Sequence, residues 1–212
     1  MTRPVRRRLV LATGNPGKAR EIAAMLAPAG VAVVSQAEFG IQSAEETGAT
    51  FIENAILKAR HAAAGSALPA VADDSGLVVD ALGGEPGIRS ARYAAGGDAA
   101  NNRKLLARLA TFAPPERRAR FVCVAVLLRH PADPLPVVCE GRWEGSIALA
   151  PRGERGFGYD PVFIPLGETR SAAELDPAEK NRLSHRGQAF AGLLEWLTGA
   201  SGTAWPPHGG AP

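Results

Sequence analysis

The chain has 212 residues, 46% of them hydrophobic and 21% charged, with a formal net charge of +3. This composition suits one substantial globular domain and excludes low-complexity and fibrous classes. The best apolar run, 121–128, is far shorter than a bilayer span, the positive charge forms no dense stripe, and the 6% of aromatic residues make no RNA-stacking pattern, so no membrane or nucleic-acid partner is expected.

Arg3, Arg6, Arg7 and Arg8 precede only the short apolar stretch 9–12, which cannot serve as a signal-peptide core. A cytoplasmic location is expected. Leu9 to Ala12 reads as a buried strand. It runs into Thr13, Gly14, Asn15, Pro16, Gly17 and Lys18, with Asn15 as N-cap of an amphipathic helix from Pro16 to Ala27. A strand turning into a helix offers free backbone N–H groups and a positive helix end to a phosphate. A Walker A loop spaces its glycines by about four residues and closes on Lys-Ser/Thr. Here two residues intervene and Ala19 follows the lysine, which disfavours a P-loop ATPase. Taken alone, a plain strand–turn–helix connection explains the segment at least as well.

Val31 to Val34 reads as a second strand. Glu45 and Glu46 follow on a loop, and Thr50 with Glu53 has capping-box spacing for a helix ending near Gly65. Ala70 to Asp73 is strand-like and closes on Asp73-Asp74-Ser75-Gly76, with Leu77 to Val79 as a returning strand. Neighbouring strand residues point to opposite faces, so one aspartate at most faces a given cleft unless the chain bends. Mg²⁺ takes one or two carboxylates plus water and phosphate oxygens, and a remaining carboxylate can activate a water. In isolation Asp73-Asp74 reads as turn chemistry and Glu45-Glu46 as a solvated acidic loop.

Asn101 to Ala110 reads as a third helix. Arg120 to Arg129 and Leu135 to Leu149 read as a long antiparallel hairpin turning at His130 to Pro134. Cys123 and Cys139 lie in strand-like segments and read as two buried reduced thiols, since two cysteines make neither a disulfide framework nor a metal motif. In Gly156-Phe157-Gly158-Tyr159-Asp160-Pro161, glycines flank an aromatic. Such a loop can hold a ring against a base, or turn with Phe157 or Tyr159 in the core; the two readings are even. Asp176 to Glu179 starts a C-terminal helical region ending near Thr198. A bend at Ser184 would bring Lys180, His185 and Arg186 together. Residues 199–212 are Gly/Pro/Ala-rich and read as a disordered tail beyond a single domain over 1–198.

These motifs follow one another in a specific order: Thr13-Gly-Asn-x-x-Lys18, Glu46-x-Gly-x-Thr-Phe51-x-Glu-Asn-Ala55-x-x-Lys58, Ala72-Asp-Asp-Ser-Gly-Leu77, Gly84-x-Pro-Gly-x-x-Ser-Ala-Arg-Tyr93, Gly156 to Pro161, and Ser184-His-Arg186. In this the chain resembles the inosine triphosphate pyrophosphatase family, in its bacterial dITP/XTP branch, over roughly residues 8–197. The resemblance implies an elongated two-lobed α/β fold around a long mixed sheet, with the active-site cleft between the lobes. It implies a homodimer, Mg²⁺ dependence, and hydrolysis of non-standard purine nucleoside triphosphates to monophosphate and pyrophosphate. It places Thr13, Gly14, Asn15, Pro16, Gly17, Lys18 and Lys58 on the phosphates. Asp74 becomes proton acceptor and metal ligand, with Glu46 the second ligand. Ser75 becomes a substrate contact, and Phe157, Gly158, Tyr159, Asp160, Lys180, His185 and Arg186 surround base and sugar.

Two rivals are weaker. The structurally related Maf proteins, which act on modified pyrimidines, open with a Ser-x-Ser-Pro-Arg-type loop that is absent here. A nucleotide sensor or nucleic-acid binder without turnover fits the basic charge. The carboxylates argue against it, because they repel phosphate unless a cation intervenes.

Overall fold

The computed structural model describes residues 7–199; the outermost N-terminal arginines and the tail at 200–212 lie outside them. The fold is α/β, with a six-stranded mixed sheet in the order β2-β1-β3-β4-β5-β6. The strands are β1 (Arg8–Leu11), β2 (Ala32–Ser35), β3 (Ala70–Val79), β4 (Arg118–Leu128), β5 (Val137–Ile147) and β6 (Phe163–Pro165). The main helices are α1 (Pro16–Leu26), α2 (Phe51–Ser66), α3 (Gly97–Arg108), α4 (Pro177–Leu183) and α5 (His185–Thr198). The described residues form two compact units: 7–73 with 124–139 and 189–199, and 74–123 with 140–188.

In the first unit β1 pairs in parallel with both β2 and β3. Helix α1 begins where expected: the Asn15 side chain accepts the N–H groups of Gly17 and Lys18, and Pro16 takes the first turn. Helix α2 begins with the expected capping box between Thr50 and Glu53. Its buried stripe is small, with Ala55, Ala59, Ala62 and Ala63 at helical spacing. Alternate residues Val124, Val126 and Leu128 of β4, with Val10, Ala70 and Ala72, complete this core. Small side chains let helix and sheet backbones approach closely.

The second unit has its own core, built on Leu77, Leu105, Phe121, Trp143, Val162 and Phe163. Here β5 pairs antiparallel with β6. Strands β4 and β5 are neighbours joined by 129–136, too short for a parallel crossover, so the expected hairpin is present.

Two expectations are corrected, and the open question of a bend at Ser184 is decided. Residues 70–79 form one continuous strand, with no turn at Asp73-Asp74 and no separate returning strand. Gly76 stays in strand conformation, and Leu77 N–H is taken by Ser90 Oγ at 2.8 Å. The C-terminal helical region is two helices, because Ser184 leaves helical geometry at ψ 159°. Cys123 is buried, but Cys139 is only half-buried.

Candidate active site

In the first unit the turn after β1 carries the residues expected to meet phosphate. Thr13 Oγ1 accepts Asn15 N–H at 3.2 Å, and Asn15 Oδ1 accepts Gly17 and Lys18 N–H at 2.8 and 3.1 Å. The expectation of free donors is therefore corrected in part, since the helix cap already occupies two of them. A Cβ on Gly14 would stand 3.0 Å from Ser43 Oγ, a close approach that the serine hydroxyl relieves by turning aside. Lys18 Nζ forms a 2.9 Å ion pair with Asp73, whose side chain is wholly buried. Lys58 Nζ pairs with Glu46 at 3.0 Å.

The loop carrying Glu46 is fixed to α2. Asn54, buried and one turn before Lys58, accepts Gly48 N–H at 2.8 Å. A Cβ on Gly48 would come within 2.6 Å of Glu53 Cβ. The loop can lie this close to the helix only because residue 48 has no side chain. Both lysines are thus held beside carboxylates.

Strand β3 leaves the first unit after Asp73 and enters the second at Asp74. Strand alternation gives Asp73 and Asp74 opposite faces. Both are buried, at 1% and 5% exposure. Lys18 pairs with Asp73, a residue that the sequence had not singled out from its neighbour.

In the second unit two of the predicted base-side residues, Lys180 and Arg186, converge on Phe157. Lys180 Nζ lies 4.8 Å and Arg186 Cζ 5.5 Å from its ring centroid, both within cation–π range. Arg186 Nη2 donates to Ser75 Oγ at 3.1 Å. Lys180 pairs with Asp160 at 2.6 Å, and Asp160 also accepts Phe157 N–H at 2.9 Å. The bend at Ser184 makes this arrangement possible, since Lys180 lies in the last turn of one helix and Arg186 in the first turn of the next.

His185 turns elsewhere: its ring stacks on Phe121 at 4.7 Å with 8° between planes, and Trp143 lies beyond at 6.5 Å. Tyr159 belongs to the core. Its hydroxyl donates to Ser90 O at 2.9 Å, and burial pushes its pKa up, with the Tyr93 and Asp98 charges adding to the effect. Phe157, by contrast, is half-buried. Of the even readings of this loop, the core position goes to Tyr159 and the partly exposed one to Phe157.

Sequence reasoning missed Asp73 as the partner of Lys18, Phe121 and Trp143 as the stack under His185, and Ser90 as acceptor for Tyr159. None of these has a local signal. Asp98 and Asn102, which bind the Gly158 backbone, did have one: two polar side chains four apart on a helix share a face.

Among the described residues no group of three or more His, Cys, Asp or Glu side chains forms a metal cage. Mg²⁺ needs no such cage, since it takes one or two carboxylates and keeps water and phosphate oxygens as its other ligands. Among the described residues no helix is long and apolar enough to cross a membrane.

Comparison with known proteins adds the following. The model of the Ham1 family matches residues 9–196. A dITP/XTP pyrophosphatase of Thioalkalivibrio sulfidiphilus (strain HL-EbGR7) is 60% identical over 195 residues, which cover 91% of this chain and 99% of the relative. One of Yersinia pseudotuberculosis serotype I (strain IP32953) is 57% identical, covering 91% and 99%. The structure of a HAM1 protein from Coxiella burnetii superposes with a TM-score of 0.84 at 48% identity, covering 91% of this chain and 98% of that one.

Proposed function

The chain belongs to the Ham1 family, and from that premise we propose how it hydrolyses non-standard purine nucleoside triphosphates such as dITP and XTP to monophosphate and pyrophosphate. Removing such nucleotides keeps them out of DNA and RNA. The carrying observation is the half-buried Phe157 ring with the Lys180 and Arg186 cations against it, since a purine can stack on such a ring while Arg186 meets its edge. The proposal extends to a homodimer, as the sequence resemblance implies, acting in the cytoplasm, as the short apolar stretch after the N-terminal arginines suggests.

Lys18 and Lys58, with the turn from Thr13 to Lys18, bind the phosphates and offset their charge. Pyrophosphate is then the better leaving group when water attacks the α-phosphorus. Asp74 orients the water and takes its proton. Glu46 and Asp74 would hold Mg²⁺, which when bound supplies further neutralisation of the phosphate oxygens. Inosine and xanthosine carry a 6-oxo acceptor where adenosine carries an amino donor. The Arg186 guanidinium satisfies the former and leaves the latter unpaired in a dry site.

Pyrophosphate release from ITP, measured with and without Mg²⁺ and against ATP, tests the reading. Release from ITP that needs the metal and greatly exceeds that from ATP is expected. An absence of release from ITP, dITP and XTP would overturn it. For Asp74→Asn at saturating Mg²⁺, turnover should fall by about a hundredfold or more; near-normal turnover removes Asp74 from the role.

A further inference from the structure

The Phe157 loop contains a weak point at its centre. Gly158 has φ +63°, and nothing lies within 4 Å of where its Cβ would be. A glycine has the widest choice of backbone angles, and a change at this one would swing the neighbouring ring. With no side chain of its own to pack, Gly158 is held by hydrogen bonds to its backbone.

Both come from one helix. Asp98 Oδ2 accepts Gly158 N–H at 2.6 Å, and Asn102 Nδ2 donates to Gly158 O at 3.0 Å. The two side chains are four residues apart on α3 and share a face, so they grip the peptides on either side of Gly158. The same helix is anchored nearby. Asn101 Nδ2 donates to Ser90 O, which also receives the Tyr159 hydroxyl, and Lys104 Nζ donates to Tyr93 O at 2.6 Å.

We propose that Asp98 and Asn102 are positioning residues for base recognition, holding the Gly158 backbone and with it the Phe157 ring against which Lys180 and Arg186 sit. This inference rests on the reading that the loop receives the purine. It gives α3 a part in specificity although neither side chain need touch substrate. Asp98 also lies in the first turn of α3, where a carboxylate stabilises a helix by its charge alone. The charge and clamp roles separate on Asp98→Asn, which keeps an acceptor oxygen but loses the charge.

The experiment compares wild type, Asp98→Ala and Asp98→Asn. It measures hydrogen exchange of the Gly158 amide by NMR, steady-state kinetics on ITP and ATP, and inhibition by pyrophosphate. Asp98 is exposed, so neither substitution opens the core. For Asp98→Ala the Gly158 amide should exchange about tenfold faster, as loss of a charge-assisted hydrogen bond predicts. KM for ITP should rise more than kcat falls, the ITP-over-ATP ratio should narrow, and pyrophosphate inhibition should hold. Asp98→Asn should stay close to wild type in every measurement. An unchanged Gly158 amide in Asp98→Ala, or Asp98→Asn impaired as much as Asp98→Ala, overturns the clamp. Faster exchange with an unmoved ITP-over-ATP ratio overturns its link to base recognition. A wild-type enzyme inactive on ITP, dITP and XTP sinks the substrate reading itself and the specificity role with it, while the exchange data still decide the clamp.

Discussion

Lys180 Nζ lies 2.6 Å from Asp160 Oδ2, with both side chains almost wholly out of solvent. A buried carboxylate tolerates its charge only when that charge is compensated, and Asp160 also holds the Phe157 N–H. Lys180→Met should therefore destabilise the protein by about 3 kcal/mol. Adding Asp160→Asn removes the uncompensated buried charge and should recover most of that stability in denaturant unfolding, without recovering ITP turnover. A double variant as unstable as Lys180→Met would refute the argument.

Arg186 carries a second prediction. It reaches both Ser75 Oγ and the face of Phe157. Arg186→Ala should narrow the ITP-over-ATP ratio of kcat/KM by roughly tenfold or more, because the donor for the 6-oxo group is lost. An unchanged ratio would move discrimination elsewhere.

The hairpin turn predicts an acid sensitivity away from the site. Burial raises the Asp133 carboxyl, but the Arg129 guanidinium and the N–H groups of Arg129 and Leu135 outweigh it and hold the pKa well below the usual carboxylate range. A depressed folded pKa means stability that is complete above the unfolded value of about 4 and is lost as pH falls towards the folded one. Wild type should lose on the order of 2 kcal/mol more than Asp133→Asn as pH is lowered from about 5 to 2. Parallel pH profiles for the two proteins would dismiss this account.

Gly187 governs the junction of the last two helices. A Cβ there would sit 1.8 Å from the Asn181 carbonyl oxygen, which is backbone and cannot turn aside. Gly187→Ala should cost about 3 kcal/mol in thermal or denaturant unfolding. It should also raise KM for ITP, because α4 and α5 carry Lys180 and Arg186. A variant with normal stability and KM would show that the junction yields easily.

Much of the fold was legible where the information is local. Asn15 and Thr50 announce their helices through side-chain caps that involve residues only three positions away. The long hairpin follows from two β-rich runs around a proline-bearing turn. The order of the motifs was enough to indicate the family, and with it the chemistry. Strand β3 defeated a local reading, because Asp-Asp-Ser-Gly resembles a turn, whereas the segment runs on as a strand between β1 and β4 with its Leu77 N–H taken by Ser90, thirteen residues beyond.

By itself, then, the sequence determined the element order, the caps, the phosphate turn and the set of acids and bases. Tertiary structure alone decided which of Asp73 and Asp74 pairs with Lys18, that Phe157 meets cations while Tyr159 enters the core, and that His185 stacks on Phe121. The physical reason is range. A cap or a helical stripe is set by neighbours along the chain, whereas an ion pair or a ring stack joins residues up to scores of positions apart that only packing brings within a few ångströms.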